Sequence, residues 1–286
     1  MTRNIVSGML RDGLYTRVVG KRIAYFRHIS STMDEAVRRA QEGVEEGTVV
    51  LAGRQTAGRG RFGRTWVSER GNLYLSIVLR PSLQVLQYLR LLSSVAVLRA
   101  IRNTTGLEPT IKWPNDLRLS GRKVCGILVE NALQDNSVQY AIVGIGINVS
   151  IAPFASHGLV NAATSLNEAA AREIDLETLL KNLLHEMDSL YLPLRPHSSP
   201  ALKQAGNGAT DSTVLQPTLD RVVNEWRSHL ETLGTHVEVR WHDDLYTGLA
   251  EDVDKMGNLI LRQCDGTRVT LPAGEVTMSV KTGDVE

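Results

Sequence analysis

Apolar positions fall into two regimes along the chain. Through about residue 190, short β-branched runs alternate with longer segments whose apolar residues recur every three or four positions. Beyond residue 234 only short runs remain, separated by polar turns. The first regime predicts strands interleaved with amphipathic helices, the second a small all-β unit. Strands are expected over 14–19, 23–26, 48–52, 73–79, 110–113, 123–130 and 139–149, the last two joined by a hairpin at Asp135-Asn136. Helices are expected from Ser30-Ser31-Thr32 to about Glu42, then over 86–106, 177–190 and 217–233. Hydroxyl residues followed by Asp34 and Glu35 suit the start of the first, because side-chain oxygens cap free N–H groups and acids complement the helix dipole. Strands over 237–241, 246–252, 259–262 and 267–271 suit a small barrel.

Composition changes this picture at two places. Residues 195–211 are rich in Pro, Ser, Gly, Ala and Asn, with little to bury, and predict a mobile insertion. Residues 1–27 carry six Lys or Arg and one acid, Asp12. That bias fits either an organellar transit peptide or basic positions on the first strands. The strand reading is preferred, with a cytoplasmic location and a mitochondrial one as the alternative.

Charge and cysteine usage exclude several classes. The 286-residue chain has a formal net charge of +1, so no global field recruits nucleic acid. Cys125 and Cys264 form no C-x-x-C pair and the histidines show no ligand spacing, which argues for a reducing compartment and against structural zinc. No apolar run is long enough to span a bilayer.

Candidate chemistry concentrates in five segments. Gly58-Arg59-Gly60-Arg61-Phe62-Gly63-Arg64-Thr65-Trp66 interleaves glycines with permanent cations whose planar forks match phosphate and carboxylate oxygens. It predicts a loop that orders around an anion, with Trp66 as a stacking face; a nucleic-acid-binding Gly-Arg segment is the competing reading. Lys112-Trp113-Pro114-Asn115-Asp116 presents Lys, Asn and Asp where a proline stops a strand. Lys123 opens an apolar strand beside Gly126, and Gly144-Ile145-Gly146 precedes Asn148. Gly126 predicts a close approach of backbone to a ligand, and the Gly144-x-Gly146 pair predicts room for something large and flat. Ser30-Ser31-Thr32 and Gln55 complete the set.

In this order the segments resemble the biotin protein ligase family, over roughly residues 23–149, and residues 271–276 resemble that family's small C-terminal cap. The resemblance implies an α+β fold: a mixed central sheet flanked by helices, of the class II synthetase-like biotin/lipoate ligase type, with a C-terminal SH3-like β-barrel. It implies a catalytic domain over 1–233, containing the 195–211 insertion, and an SH3-like domain over 234–286. No DNA-binding segment precedes the match, so the forms without repressor function are the ones resembled. The implied reaction makes biotinyl-5'-AMP from biotin and ATP with magnesium, then transfers biotin to a lysine of a biotin carboxyl carrier domain. A monomer or homodimer with no DNA or membrane partner is expected.

By the same resemblance, Ser31, Thr32, Gln55, Gly58, Gly60 and Gly126 would meet biotin, joined by Arg59, Arg61 and Lys123 at its carboxylate. Arg59, Arg61, Arg64, Trp66, Lys112, Asn115, Lys123 and Asn148 would hold ATP. Arg61, Lys123 and Asp116 would be catalytic, and no metal ligand is assigned. Met33 stands where the family usually has Asn, and Phe62 where it commonly has Arg. A lipoate ligase or octanoyltransferase of the same fold is the alternative.

Overall fold

The computed structural model describes residues 14–150, 163–195 and 212–278. Residues 1–13 and 196–211, and with them most of the expected insertion, lie outside the described residues. Chain order is β1 (Ile23–Phe26), α1 (Thr32–Gln41), β2 (Val49–Ala52), β3 (Leu73–Leu79), α2 (Leu83–Leu86), α3 (Leu89–Thr105), β4 (Thr110–Lys112), β5 (Asp116–Leu119), β6 (Arg122–Gln134) and β7 (Ser137–Ile147). There follow α4 (Leu166–Ala170), α5 (Leu176–Tyr191), α6 (Ser212–Ser228), β8 (His236–Trp241), β9 (Asp244–Val253), β10 (Leu259–Arg262), β11 (Arg268–Leu271) and β12 (Glu275–Met278).

The first seven strands form one sheet in the order β1-β2-β3-β7-β6-β5-β4, parallel only between β1 and β2. Both faces are covered, which is why all seven residues of β3 are buried instead of alternating. Leu73, Leu75, Ile77 and Leu79 join the main core with α3 and α5; Val78 joins the smaller cluster of Met33, Ala36 and Ala40 on α1. Because side chains alternate across a strand, Tyr74 and Ser76 belong to the α1 face with Val78. Gly144 and Gly146, flanked by core residues Val143, Ile145 and Ile147, share that face. The last five strands make an antiparallel sheet in the order β11-β10-β9-β8-β12. Its buried residues, among them Val239, Leu261 and Leu271, belong to the same core cluster. One clasp between the sheets is the Gly257 carbonyl, which accepts from Trp113 Nε1 at 2.9 Å and Arg90 Nη2 at 3.3 Å.

Most expected elements form, with physical reasons for the departures. Residues 14–19 are not a strand: the Asp188 carboxylate on α5 collects the N–H groups of Arg17, Val18 and Val19 at 2.7 to 2.8 Å, so these donors have no ladder to join. The helix expected over 86–106 forms as α3 from Leu89 with its N-cap at Tyr88, and an unexpected short helix, α2, capped by Ser82, precedes it. Strands β5 and β12 and helix α4 were not expected. The hairpin at Asp135-Asn136 forms as expected, with both residues at positive φ. Among the described residues no helix is long and apolar enough to cross a membrane.

Candidate active site

The site is a cavity of about 320 Å³ on the α1 face of the main sheet, roofed by residues 59–67 and closed on one side by Gly274, Glu275 and Val276. One end is neutral. Ser31 caps α1 through its side chain and is fully buried, so it supports the helix start and does not line the cavity. Thr32 and Gln55 do line it. Gln55 Oε1 accepts from the Thr32 N–H at 2.7 Å and from Thr32 Oγ1 at 3.0 Å, while Ser76 Oγ donates to Thr32 Oγ1 at 2.8 Å. Gln55 Nε2 donates to Ser68 Oγ at 2.9 Å, which donates on to the Trp66 carbonyl at 2.9 Å.

The other end is cationic, and its loop departs from expectation. It is a miniature hairpin: the Trp66 N–H bonds the Gly58 carbonyl and the Gly60 N–H bonds the Arg64 carbonyl, both at 2.8 Å. Residues 61–63 form a tight turn between them. Of the glycines only Gly63 has positive φ; the other left-handed residue is Phe62, at φ 56°. Gly58 does not line the cavity either; it is small because a Cβ there would stand 2.5 Å from both Ser68 Oγ and the Trp66 carbonyl.

The arginines are not left to repel one another. Arg59 pairs with Glu130 at 2.6 Å and Asp34 at 3.2 Å, and Arg64 pairs with Glu275. Arg61 donates to Asn115 Oδ1 at 3.0 Å and to the Gly274 carbonyl at 3.4 Å, and its guanidinium lies 4.7 Å from the Phe62 ring centre. Burial pulls the Arg61 pKa down from its ordinary value, opposed by Asp116 and Glu275. Asn115 is itself committed, because its Nδ2 donates to the Ile127 carbonyl. It is therefore the fixed post on which Arg61 rests.

Between the ends lies Trp66. The space opened by the strand glycines is filled from within the chain: a Cβ on Gly126 would stand 2.7 Å from the Trp66 ring, one on Gly146 2.6 Å from Trp66 Nε1, and one on Gly144 2.5 Å from Met33 Sδ. Gly126 and Gly146 are cross-strand partners, so together they form a flat seat for the indole. Lys123 Nζ sits 5.2 Å from the Trp66 ring centre and 2.7 Å from Asp116 Oδ1. Lys112 lines the same wall, its pKa lowered by burial first and Arg118 next. Asn148 is buried on the cavity side and donates weakly to the Lys123 carbonyl at 3.4 Å. Cys125 behind it is fully buried, which pushes its thiol pKa well up and makes it inert packing.

Thirteen residues expected at the site therefore share one cavity, and Ser31 and Gly58 stand just behind its wall. The sequence reading missed Ser68, Ser76, Glu130, Gly274 and Glu275. Alternation along β3 placed Ser76 on the α1 face and offered one usable signal; the others depend on contacts between distant segments. No group of three His, Cys, Asp or Glu suitable for a metal exists among the described residues, and Asp116 is taken by Lys123.

Comparison with known proteins shows the family. Residues 25–148 match the biotin/lipoate A/B protein ligase family, and residues 232–279 match the biotin protein ligase C-terminal domain. A bifunctional ligase/repressor from Bacillus subtilis (strain 168) is 34% identical over 264 residues, covering 91% of this chain and 75% of that protein. A biotin–[acetyl-CoA-carboxylase] ligase from Paracoccus denitrificans is 34% identical over 254 residues, covering 86% of this chain and 96% of its own length. The structure of a biotin protein ligase from Aquifex aeolicus in complex with biotin and ATP superposes with a TM-score of 0.70 at 27% identity, over 91% of this chain and 99% of that one. The chain belongs to the biotin protein ligase family.

Proposed function

We propose a division of labour among these side chains for the family's reaction: biotin and ATP give biotinyl-5'-AMP and pyrophosphate, and the biotinyl group then passes to a lysine of a carboxyl carrier domain. In this reading Thr32 and Gln55 bond the polar ring of biotin. A neutral donor and acceptor pair at the end of a largely apolar pocket suits an uncharged ring. Arg59 and Arg61 receive the biotin carboxylate and the α-phosphate, Arg64 reaches the triphosphate, and Asn148 meets adenine beside Trp66. Gly60, Gly126 and Lys112 shape the walls, with Asn115 holding Arg61.

Carboxylate oxygen attacks the α-phosphorus and pyrophosphate leaves. Negative charge grows between the two anions, where Lys123 and Arg61 supply positive charge, and such electrostatic stabilisation is usually the largest catalytic contribution. In the second step the acceptor amine attacks the acyl carbon and AMP leaves. Asp116 takes the amine proton once substrate anions have drawn Lys123 away from it. The arginine hairpin keeps water from the mixed anhydride. Magnesium arrives on ATP. Residues 1–233 act as the catalytic domain and 234–286 as an SH3-like cap, in a cytoplasmic monomer or homodimer.

The observation that carries this reading is one cavity with a neutral hydrogen-bonding end and an arginine end, meeting at Lys123 and Asp116. The test incubates the chain with biotin, MgATP and a biotin carboxyl carrier domain. The expected result is one biotinyl mass increment on one acceptor lysine; no increment with biotin, or one with lipoate instead, overturns it.

A further inference from the structure

The neutral end contains a hydrogen-bond chain in which the direction of every bond is fixed. A backbone N–H can only donate, so the Gln55 atom 2.7 Å from the Thr32 N–H is the amide oxygen. That oxygen carries no proton, so the Thr32 hydroxyl, 3.0 Å away, must donate to it. Thr32 Oγ1 therefore receives the proton of Ser76 at 2.8 Å. At the other side Gln55 Nε2 has no lone pair, so Ser68 Oγ accepts at 2.9 Å and turns its own proton to the Trp66 carbonyl. Ser76, Thr32 and Ser68 are 0%, 3% and 4% exposed, so water does not compete for these bonds. After this pairing Thr32 keeps one lone pair and Gln55 one amide proton, and both residues line the cavity.

We propose that Ser76 and Ser68 are positioning residues for biotin recognition, clamping Thr32 and Gln55 so that the cavity presents one acceptor and one donor in fixed places to a cyclic urea. The inference rests on the biotin reading above. A urea carries both N–H donors and a carbonyl acceptor, so it answers both partners at once. A saturated or disulfide ring answers neither and leaves buried polar groups unpaired. Gly58 belongs to the same device. Its missing side chain lets Ser68 reach between Gln55 and the Trp66 carbonyl, since a Cβ would stand 2.5 Å from Ser68 Oγ and 3.1 Å from Gln55 Nε2. The clamp thereby ties the ring end to the stem of the arginine hairpin.

The test is steady-state, biotin-dependent pyrophosphate release by the full chain and its S76A and S68A variants, with a melting curve for each. One net hydrogen bond predicts a rise in the biotin KM of about fivefold for each variant and about 25-fold for the pair. The kcat and the ATP KM are expected to stay within about twofold of wild type. A purely structural serine would lower kcat through loss of folded enzyme and leave the biotin KM alone; that pattern overturns the proposal. So does an equal rise in both KM values, or no change in either. The serines lie on different elements, β3 and the segment after the hairpin, so poor folding of one variant leaves the other as the test. Wild-type chain that releases no biotin-dependent pyrophosphate overturns the biotin reading itself, a result distinct from any of these.

Discussion

The two ends of the cavity are built by opposite means. At the ring end, neutral side chains that bond one another across 13 to 44 residues are locked by a directional hydrogen-bond chain from Ser76 to the Trp66 carbonyl. At the anion end, three arginines are held by Glu130, Asp34, Asn115, Gly274 and Glu275, four of which lie 54 or more residues away. The first arrangement has nowhere else to go; the second consists of partners that a substrate anion can replace. Exposed ion pairs hold their members with little net energy, of order 0 to 1 kcal/mol, because water screens them and side-chain entropy opposes them. The carboxylates therefore keep the cations in place without binding them too tightly to exchange. A closed hydrogen-bond chain at one end and cations placed by exchangeable partners at the other is what the pair of regions teaches.

The hardest way to break the contrast is at the join. Lys123→Ala removes the cation nearest both Asp116 and Trp66. Loss of one pre-organised charge partner is expected to lower the adenylation kcat by about 10²–10³-fold. Arg61→Ala should fall in the same range, since its partners are a side-chain amide and a carbonyl and it leaves no buried carboxylate behind. Pyrophosphate release with folded protein checks both. Smaller in effect, Gly146→Ala forces a methyl to within 2.6 Å of Trp66 Nε1. The indole must leave its seat, at a stability cost of about 1–3 kcal/mol and with a raised ATP KM. A melting curve and a shift in tryptophan emission report it; an unchanged melting point would show that the ring is not seated on the strand.

How much of this was legible in the sequence follows the same divide. At the ring end the local signals were legible, namely a hydroxyl cap, acids in the first turn and Gln55 after a β-branched run, whereas Ser68 and Ser76, which bond Gln55 and Thr32 from 13 and 44 residues away, were missed. The arginine segment was legible as cationic but not as a hairpin, because Phe62 rather than a glycine takes the left-handed turn beside Gly63. The room opened by the strand glycines was legible but its occupants were not: Gly126 and Gly146 seat Trp66, 60 and 80 residues earlier in the chain, and Gly144 faces Met33. Residues 14–19 look like a strand until Asp188, about 170 residues away, takes their N–H groups. β5 and β12 are four residues each, Asp-Leu-Arg-Leu and Glu-Val-Thr-Met, too short for their alternation to announce a strand without the neighbours they pair with. In each case the unread part is a contact between segments distant in sequence.

The gentlest probe of exchangeability is Glu275→Gln. Its partner Arg64 is 63% exposed and Glu275 39%, so losing the ion pair should change stability by less than about 1 kcal/mol. If the pair is a placeholder for phosphate, an Arg64 relieved of its carboxylate should meet ATP more readily. The expected outcome is then an ATP KM lowered a few-fold with the biotin KM unmoved. Arg61 adds a second reason, since Glu275 is among the charges that hold its pKa up against burial, and a neutral glutamine leaves that field to the phosphates. Were the ATP KM to rise instead, Glu275 would be serving as a brace that aims Arg64 at the nucleotide, and the anion end would be as rigidly built as the ring end. The sign of one KM change therefore decides whether the two halves of the cavity differ in principle or only in charge.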